Sequence, residues 1–307
     1  MLKIRYTASH FPTGIYGNKL AGTHILPTDW HEIIWAAITV GKRNATEVNK
    51  HGKYSTYEIM SRAMLIWTSL KSSNGYLEKS SVYQEMDPTE KGFVSFSLGM
   101  AISKLFISKL LNVHWLEHVA NINNSIKTRA KTKSRPDLIG LNTRKEFVIV
   151  EAKGRSNGFN LDAQIKAKKQ TRVISTIDSK YPVLRIASQC YFDESLEVCI
   201  EDPEDIIPDA IEVETNLNIY FEKYYGIFYN LENEELDLLK SMGIEISLSD
   251  NLSIAIRNNS FENFTVDNDS PFFDESGFKC FPDGIKIKLD SDFWAEGALE
   301  LEPEKRQ

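Results

Sequence analysis

The chain has 307 residues, 42% of them hydrophobic and 26% charged, with a formal net charge of −7. That apolar share excludes a disordered or collagen-like chain, and the length suggests about two domains at roughly 100–200 residues each. No run of about 18 apolar residues offers a bilayer span, the first residues lack a signal-peptide core, and Cys190, Cys199 and Cys280 are too dispersed for a disulfide framework, which fits a reducing cytoplasm.

Residues 1–86 read as a helical N-terminal region after a short irregular start. Asp29 caps a helix whose third position is Glu32, followed by the apolar run Ile33 to Ile38. A second helix covers about Tyr57 to Leu70 and stops near Ser73-Asn74-Gly75. Asp87-Pro88-Thr89-Glu90 opens a third, with Asp at the cap, Pro in the first turn and Glu at the third position. Glu90, Val94, Leu98, Ala101 and Leu105 then share one face, and Asn112 supplies a stop.

A polar, basic segment from Asn121 to Arg135 precedes Pro136-Asp137-Leu138-Ile139-Gly140-Leu141. After a turn at Asn142-Thr143-Arg144-Lys145 comes Phe147-Val148-Ile149-Val150, an apolar run of buried-strand type that leads into Glu151-Ala152-Lys153. A helix from about Leu161 to Asp178 and a strand around Val183 to Cys190 follow. The order helix, strand, hairpin, strand, helix, strand predicts an α/β core with a mixed sheet over residues 87–199. Residues 200–307 read as an acidic α+β region. It has an aromatic helix near Asn216 to Leu231 (Tyr220, Phe221, Tyr224, Tyr225, Phe228, Tyr229) and alternating segments at Ile244–Leu248 and Ile285–Leu289, with a frayed tail after Trp294.

The average charge conceals its distribution. Residues 127–185 carry 15 basic and 5 acidic side chains, a net of +10, whereas residues 191–307 carry 8 and 29, a net of −21. A single value of −7 speaks against a nucleic-acid partner. Its division into a basic surface and an acidic region reverses that inference.

The chemistry centres on Asp137, Glu151 and Lys153. A strand ending in Glu-x-Lys puts both side chains on one face, and a hairpin partner brings Asp137 beside them. Two carboxylates make a hard oxygen site suited to Mg2+ or Mn2+, and the lysine adds a cation for developing charge. Phosphodiester hydrolysis needs that set.

Pro136-Asp137, thirteen intervening residues and Glu151-Ala152-Lys153 resemble the signature of the PD-(D/E)xK nucleases, the restriction-endonuclease-like superfamily. The resemblance covers roughly residues 87–195 and implies a restriction-endonuclease-like core with a mixed sheet flanked by helices. It also implies a Mg2+-dependent nuclease, in which Asp137 and Glu151 hold the metal and Lys153 orients water or stabilises charge. Members often add an acid from the preceding helix, for which Glu90 is the candidate beside its capping role, and a glutamine from the following helix, for which Gln170 is the candidate. Arg129, Lys131, Lys133, Arg135, Arg155, Lys168, Lys169 and Arg172 are the expected contacts to a DNA backbone.

Three other patterns carry less. His114-Trp115-Leu116-Glu117-His118 spells an inverted zinc-peptidase motif, but the stop at Asn112 predicts an extended segment there. Gly14-x-x-Gly17 is too short for a nucleotide loop, and the aromatics Tyr220 to Tyr229 have the spacing of core residues. The expectation is therefore a nuclease that cleaves DNA, an endonuclease of restriction or defence, with room for a homodimer or partner subunit because double-strand cuts commonly use two sites. The alternatives are an inactive nuclease-fold protein that binds DNA or regulates, and an interaction protein whose acidic region lies in the basic groove.

Overall fold

A computed structural model describes residues 1–12, 20–42, 53–122, 126–127, 134–202, 211–228, 231–261, 264–265 and 268–295. The first part of the chain forms β1 (Leu2–Ser9), β2 (Gly22–Thr28), α1 (Trp30–Thr39), α2 (Lys53–Ser69), β3 (Leu70–Ser73), β4 (Tyr76–Lys79), α3 (Ser81–Glu85) and α4 (Pro88–Leu111). Next come β5 (Trp115–His118), α5 (Val119–Ile122), β6 (Ile126–Lys127), β7 (Leu138–Leu141), β8 (Phe147–Gly154), α6 (Leu161–Thr171), β9 (Ile174–Ile177), β10 (Leu184–Phe192) and β11 (Leu196–Glu201). The last part holds β12 (Ile211–Val213), α7 (Leu217–Tyr225), α8 (Asn233–Ser241), β13 (Ile244–Leu248), α9 (Asp250–Arg257), β14 (Phe272–Phe273), β15 (Lys279–Cys280) and β16 (Ile285–Leu289).

Local chemistry sets many of these boundaries. The Asp29 side chain accepts from Glu32 N at the start of α1. Asp87 and Glu90 form a complete reciprocal capping box on α4, and Asn112, at φ 55°, closes its other end in the left-handed region. Asn74 and Gly75, both at positive φ, make the two-residue turn between β3 and β4.

The protein is α/β, built on a nine-stranded mixed sheet in the order β3-β4-β1-β11-β10-β8-β7-β5, with β2 antiparallel to β1. β1 runs parallel to β11, and β10 parallel to β8, while β7 and β5 continue antiparallel beyond β8. The order expected for residues 87–199 is present, but the division into three regions is not. The irregular start is β1, whose alternating LKIRYTAS buries every second side chain, and it lies deep in the sheet beside β11. Strand β11 itself straddles the boundary drawn at 199/200, and one hydrophobic core runs through all three stretches.

The helix expected to reach Asp178 ends at Thr171. The β-branched run Val173-Ile174-Ser175-Thr176-Ile177 continues as β9, which pairs with β12 in a small sheet. The acidic third is no detached appendage either. Its aromatics Tyr220, Phe221, Tyr224, Tyr225 and Phe228 are buried, while Tyr229 and the tail from residue 296 lie outside the described residues. Asp283 draws this region onto the core, because its carboxylate accepts from Trp35 Nε1 (2.9 Å) and Tyr224 Oη (2.7 Å), and its carbonyl accepts from Tyr225 Oη (2.5 Å). Lys104, fully buried in α4, donates to Tyr224 Oη at 2.7 Å and lies 4.6 Å from the Trp35 ring centroid. Segments Ile244–Leu248 and Ile285–Leu289 are the strands expected, and they pair with each other.

No segment was expected to span a bilayer, yet among the described residues α4 alone is long and apolar enough to cross a membrane; 78% of its apolar 18-residue stretch is buried inside the protein. It packs on β8 through glycines. A Cβ on Gly154 would lie 1.6 Å from the Ser95 carbonyl oxygen, and one on Gly99 would lie 2.6 Å from Gly154 N. Gly154→Ala should therefore lower stability by about 3 kcal/mol or more in urea unfolding, since only backbone could give way. Asp283→Ala should lower it by about 3–5 kcal/mol, because Trp35 Nε1 and Tyr224 Oη lose a buried acceptor and Lys104 loses the nearby opposite charge.

Candidate active site

The hairpin β7–β8 pairs Leu138 with Val150, so Asp137 stands opposite Glu151 one step further along. Asn142 shapes the turn, its side-chain oxygen accepting from Arg144 N and Glu146 N. At the open end the two acids are cross-linked by backbone. Asp137 N donates to Glu151 Oε2 (2.9 Å), and Ala152 N donates to Asp137 Oδ2 (3.2 Å). Lys153, two residues along on the same face, places Nζ on Glu151 Oε1. The predicted trio is thus brought together. Glu151 has no solvent exposure, Asp137 is half-buried, and the Lys153 side chain is 26% exposed.

Strand alternation fixes which face this is. The missing Gly154 side chain would point at α4, so Glu151 and Lys153 point the other way, toward α6. Gln189 lies beside Lys153 in the β8–β10 register. It grips the cap of α6: its Oε1 accepts from Asn160 N (2.8 Å), and its Nε2 donates to Asn160 O (3.0 Å) and Gln164 Oε1 (3.3 Å).

Glu90 is not part of this group. It is exposed, it accepts from Asp87 N in the capping box, and its helix covers the opposite face of the sheet. Among the described residues no three His, Cys, Asp or Glu side chains form a metal-holding group, so the candidate ligands reduce to Asp137 and Glu151. Gln170 is half-buried and donates to the Arg135 carbonyl (3.2 Å), two residues ahead of Asp137. The helix turns a different glutamine inward. Gln164 is buried with Ala167 and Thr171, and it donates to Ala187 O (3.2 Å) and Glu201 Oε2 (3.0 Å). The helix expected to run to Asp178 ends at Thr171. Asn160 as the cap is the signal that would have set the phase correctly.

The basic candidates divide. Arg129, Lys131 and Lys133 lie outside the described residues. Arg135 and Lys169 are exposed, and Arg172 is half-buried. Lys168 is an ion-pair partner of Glu201 (2.8 Å), and Arg155 Nε donates to Gly158 O (3.2 Å) within its own loop, so neither is an unengaged backbone contact. The zinc-motif residues are extended, as the sequence predicts. His114 is buried against Ser108 Oγ, where burial pushes its pKa down to about 3, and Glu117 is buried beneath Asn121. A cavity of about 370 Å³ in the C-terminal sheet, lined by Phe272, Phe281 and Lys286 among others, contains none of the trio.

Electrostatically the pair is a stressed site. Burial first, then the Asp137 charge, pushes the Glu151 carboxyl up to about 8, with Lys153 opposing. Asp137 is also raised by burial, against Lys153 and the Ala152 N–H. Two hard carboxylates under such stress fit a divalent cation, which takes one or two carboxylates and completes its shell with water and phosphate oxygens. Comparison with known protein families, with curated proteins and with solved structures finds no match.

A carboxyl whose folded pKa lies above its unfolded value stabilises the fold fully below the unfolded value, and that stabilisation is lost as pH rises through the folded one. Without divalent cations, the Glu151 contribution therefore fades between about pH 4.5 and about pH 8. Glu151→Gln should flatten this part of the profile. Thermal melts of variant and wild type across that range, in chelator, should converge at low pH, with the variant relatively more stable at high pH.

Proposed function

We propose that this protein is a divalent-cation-dependent nuclease that hydrolyses DNA phosphodiester bonds, with a restriction-endonuclease-like core formed by α4, β5, β7, β8, α6 and β10. The observation that carries the reading is the meeting of Asp137, Glu151 and Lys153 at the end of β7 and β8. The pairing is built from backbone hydrogen bonds and a buried carboxylate, an arrangement that is costly for a fold to maintain unless a cation or substrate uses it.

Asp137 and Glu151 would hold Mg2+ or Mn2+, and the bound ion supplies a Lewis acid for the scissile phosphate. The chain's own residues do the rest. Lys153, its side chain partly exposed, reaches a phosphate oxygen and stabilises charge there. Gln170 holds the Arg135 carbonyl and with it the approach to Asp137. Exposed Arg135 and Lys169 offer contacts to a nucleic-acid backbone. An endonuclease role in restriction or defence is the setting that accords with this chemistry.

Asp137→Ala, Glu151→Ala and Lys153→Ala should each reduce nicking of plasmid DNA in Mg2+ or Mn2+ by at least about 100-fold, with circular dichroism spectra retained. Wild-type protein that never nicks DNA in either metal would overturn the enzymatic reading. If that protein still bound DNA with steep salt dependence, the reading of a nuclease-fold binding module would replace it.

A further inference from the structure

We infer that Lys153 is the resident counter-ion of the carboxylate pair, and that a substrate phosphate admits the divalent cation by drawing Lys153 off Glu151. This rests on the nuclease reading and concerns how its site is regulated. The hydrogen bonds define the problem. Glu151 is fully buried, and both of its oxygens are engaged, Oε2 by Asp137 N and Oε1 by Lys153 Nζ. Oε2 faces backbone that cannot withdraw without opening the hairpin. The more open route for an incoming cation is therefore the position of the ammonium group on Oε1.

Lys153 is suited to leave. Its backbone is fixed by the β8–β10 ladder opposite Gln189 and by the approach of Gly99 to the Lys153–Gly154 peptide. Only the four-carbon stem moves, and the side chain is already 26% exposed. The charges favour exchange only when substrate is present. With Lys153 in place, the two carboxylates and one ammonium carry −1 when ionised. A divalent cation added beside an undisplaced ammonium would have to enter against its repulsion. A phosphodiester carries the one negative charge that can receive Lys153, and the vacated oxygen then faces the cation. Cation and phosphate thus bind with positive coupling, and the coupling is reciprocal. Such a site stays weakly metallated until DNA arrives.

The test measures binding, not turnover. Ca2+ is titrated calorimetrically into full-length wild type and Lys153→Met, each with and without a short phosphorothioate DNA duplex. Saturating duplex should tighten Ca2+ binding to wild type at least about fivefold. Without duplex, Lys153→Met should bind Ca2+ at least about fivefold tighter than wild type, and with duplex the two should agree within about twofold. Equal duplex-free affinities for the two proteins, or a wild-type affinity that duplex does not change, would overturn the inference. A Lys153→Met advantage that persists undiminished with duplex would reduce Lys153 to a long-range charge and also overturn it. Failure of the nuclease reading looks different: neither protein binds Ca2+ at millimolar concentration, or Asp137→Asn binds as wild type does. The duplex arm on wild type needs no variant, so the inference remains testable should Lys153→Met not fold.

Discussion

The site depends on backbone meeting backbone where α4 crosses β8. Gly99 and Gly154 leave no side chain between helix and strand, and the Ser95 carbonyl occupies the space that a Gly154 Cβ would need. This close approach fixes the height of β8 over the core and decides which of its faces is buried under α4. Everything else at the site follows by alternation. Val150 and Ala152 lie on the α4 side, and Glu151 and Lys153 are turned toward α6, where Gln189, Gln164 and Asn160 form a rigid wall. A helix that rode even 1 Å higher would alter the cross-hydrogen bonds that hold Asp137 on Glu151.

A second constraint is the treatment of buried charge. Of the buried charges among the described residues, two groups bear on the site and on the fold. One is Glu151 with Asp137 and Lys153, near the surface and able to exchange partners. The other is Lys104 with Asp283, Tyr224 and Trp35, enclosed on all sides. Burial pushes Lys104 down to about 7, with Asp283 as the opposing influence, and it pushes Asp283 up. The enclosed group joins the acidic third to the helices that precede the core. Among the described residues of the acidic region, Tyr220, Phe221, Tyr224 and Tyr225 fill the interior together with the Asp283 carboxylate. Among the described residues, its side-chain ion pair with the basic stretch is Glu201 on Lys168, which restrains a cation two strands across the sheet from Glu151.

What the sequence made legible was local. Caps at Asp29, Asp87 and Asn112, the turn at Asn74-Gly75 and the Glu-x-Lys at a strand end are determined by neighbours within a few residues, and each is found in place. Three features escaped, two of them decided locally and one by a distant partner. α6 starts at the Asn160 cap and ends at Thr171, and this phase turns Gln164 inward in place of the expected Gln170. Glu90 looked inward by periodicity, yet the reciprocal cap holds its side chain at the exposed end of the helix. β1 alternates plainly, but eight residues beside a loop give no sign of a parallel partner nearly two hundred positions away.

That pairing bears on how the chain is made. Arg5 meets Glu197 across 192 positions, and Trp35 meets Asp283 across 248. On the ribosome the first strand must wait, unpartnered on its β11 side, until residues 196–201 have emerged. The core around α1 stays unsealed until Asp283 has emerged. Contacts of such sequence separation slow folding. They also schedule it: the hairpin that brings Asp137 to Glu151 is made before β11 arrives to join β10 to β1 and complete the strand order that carries it.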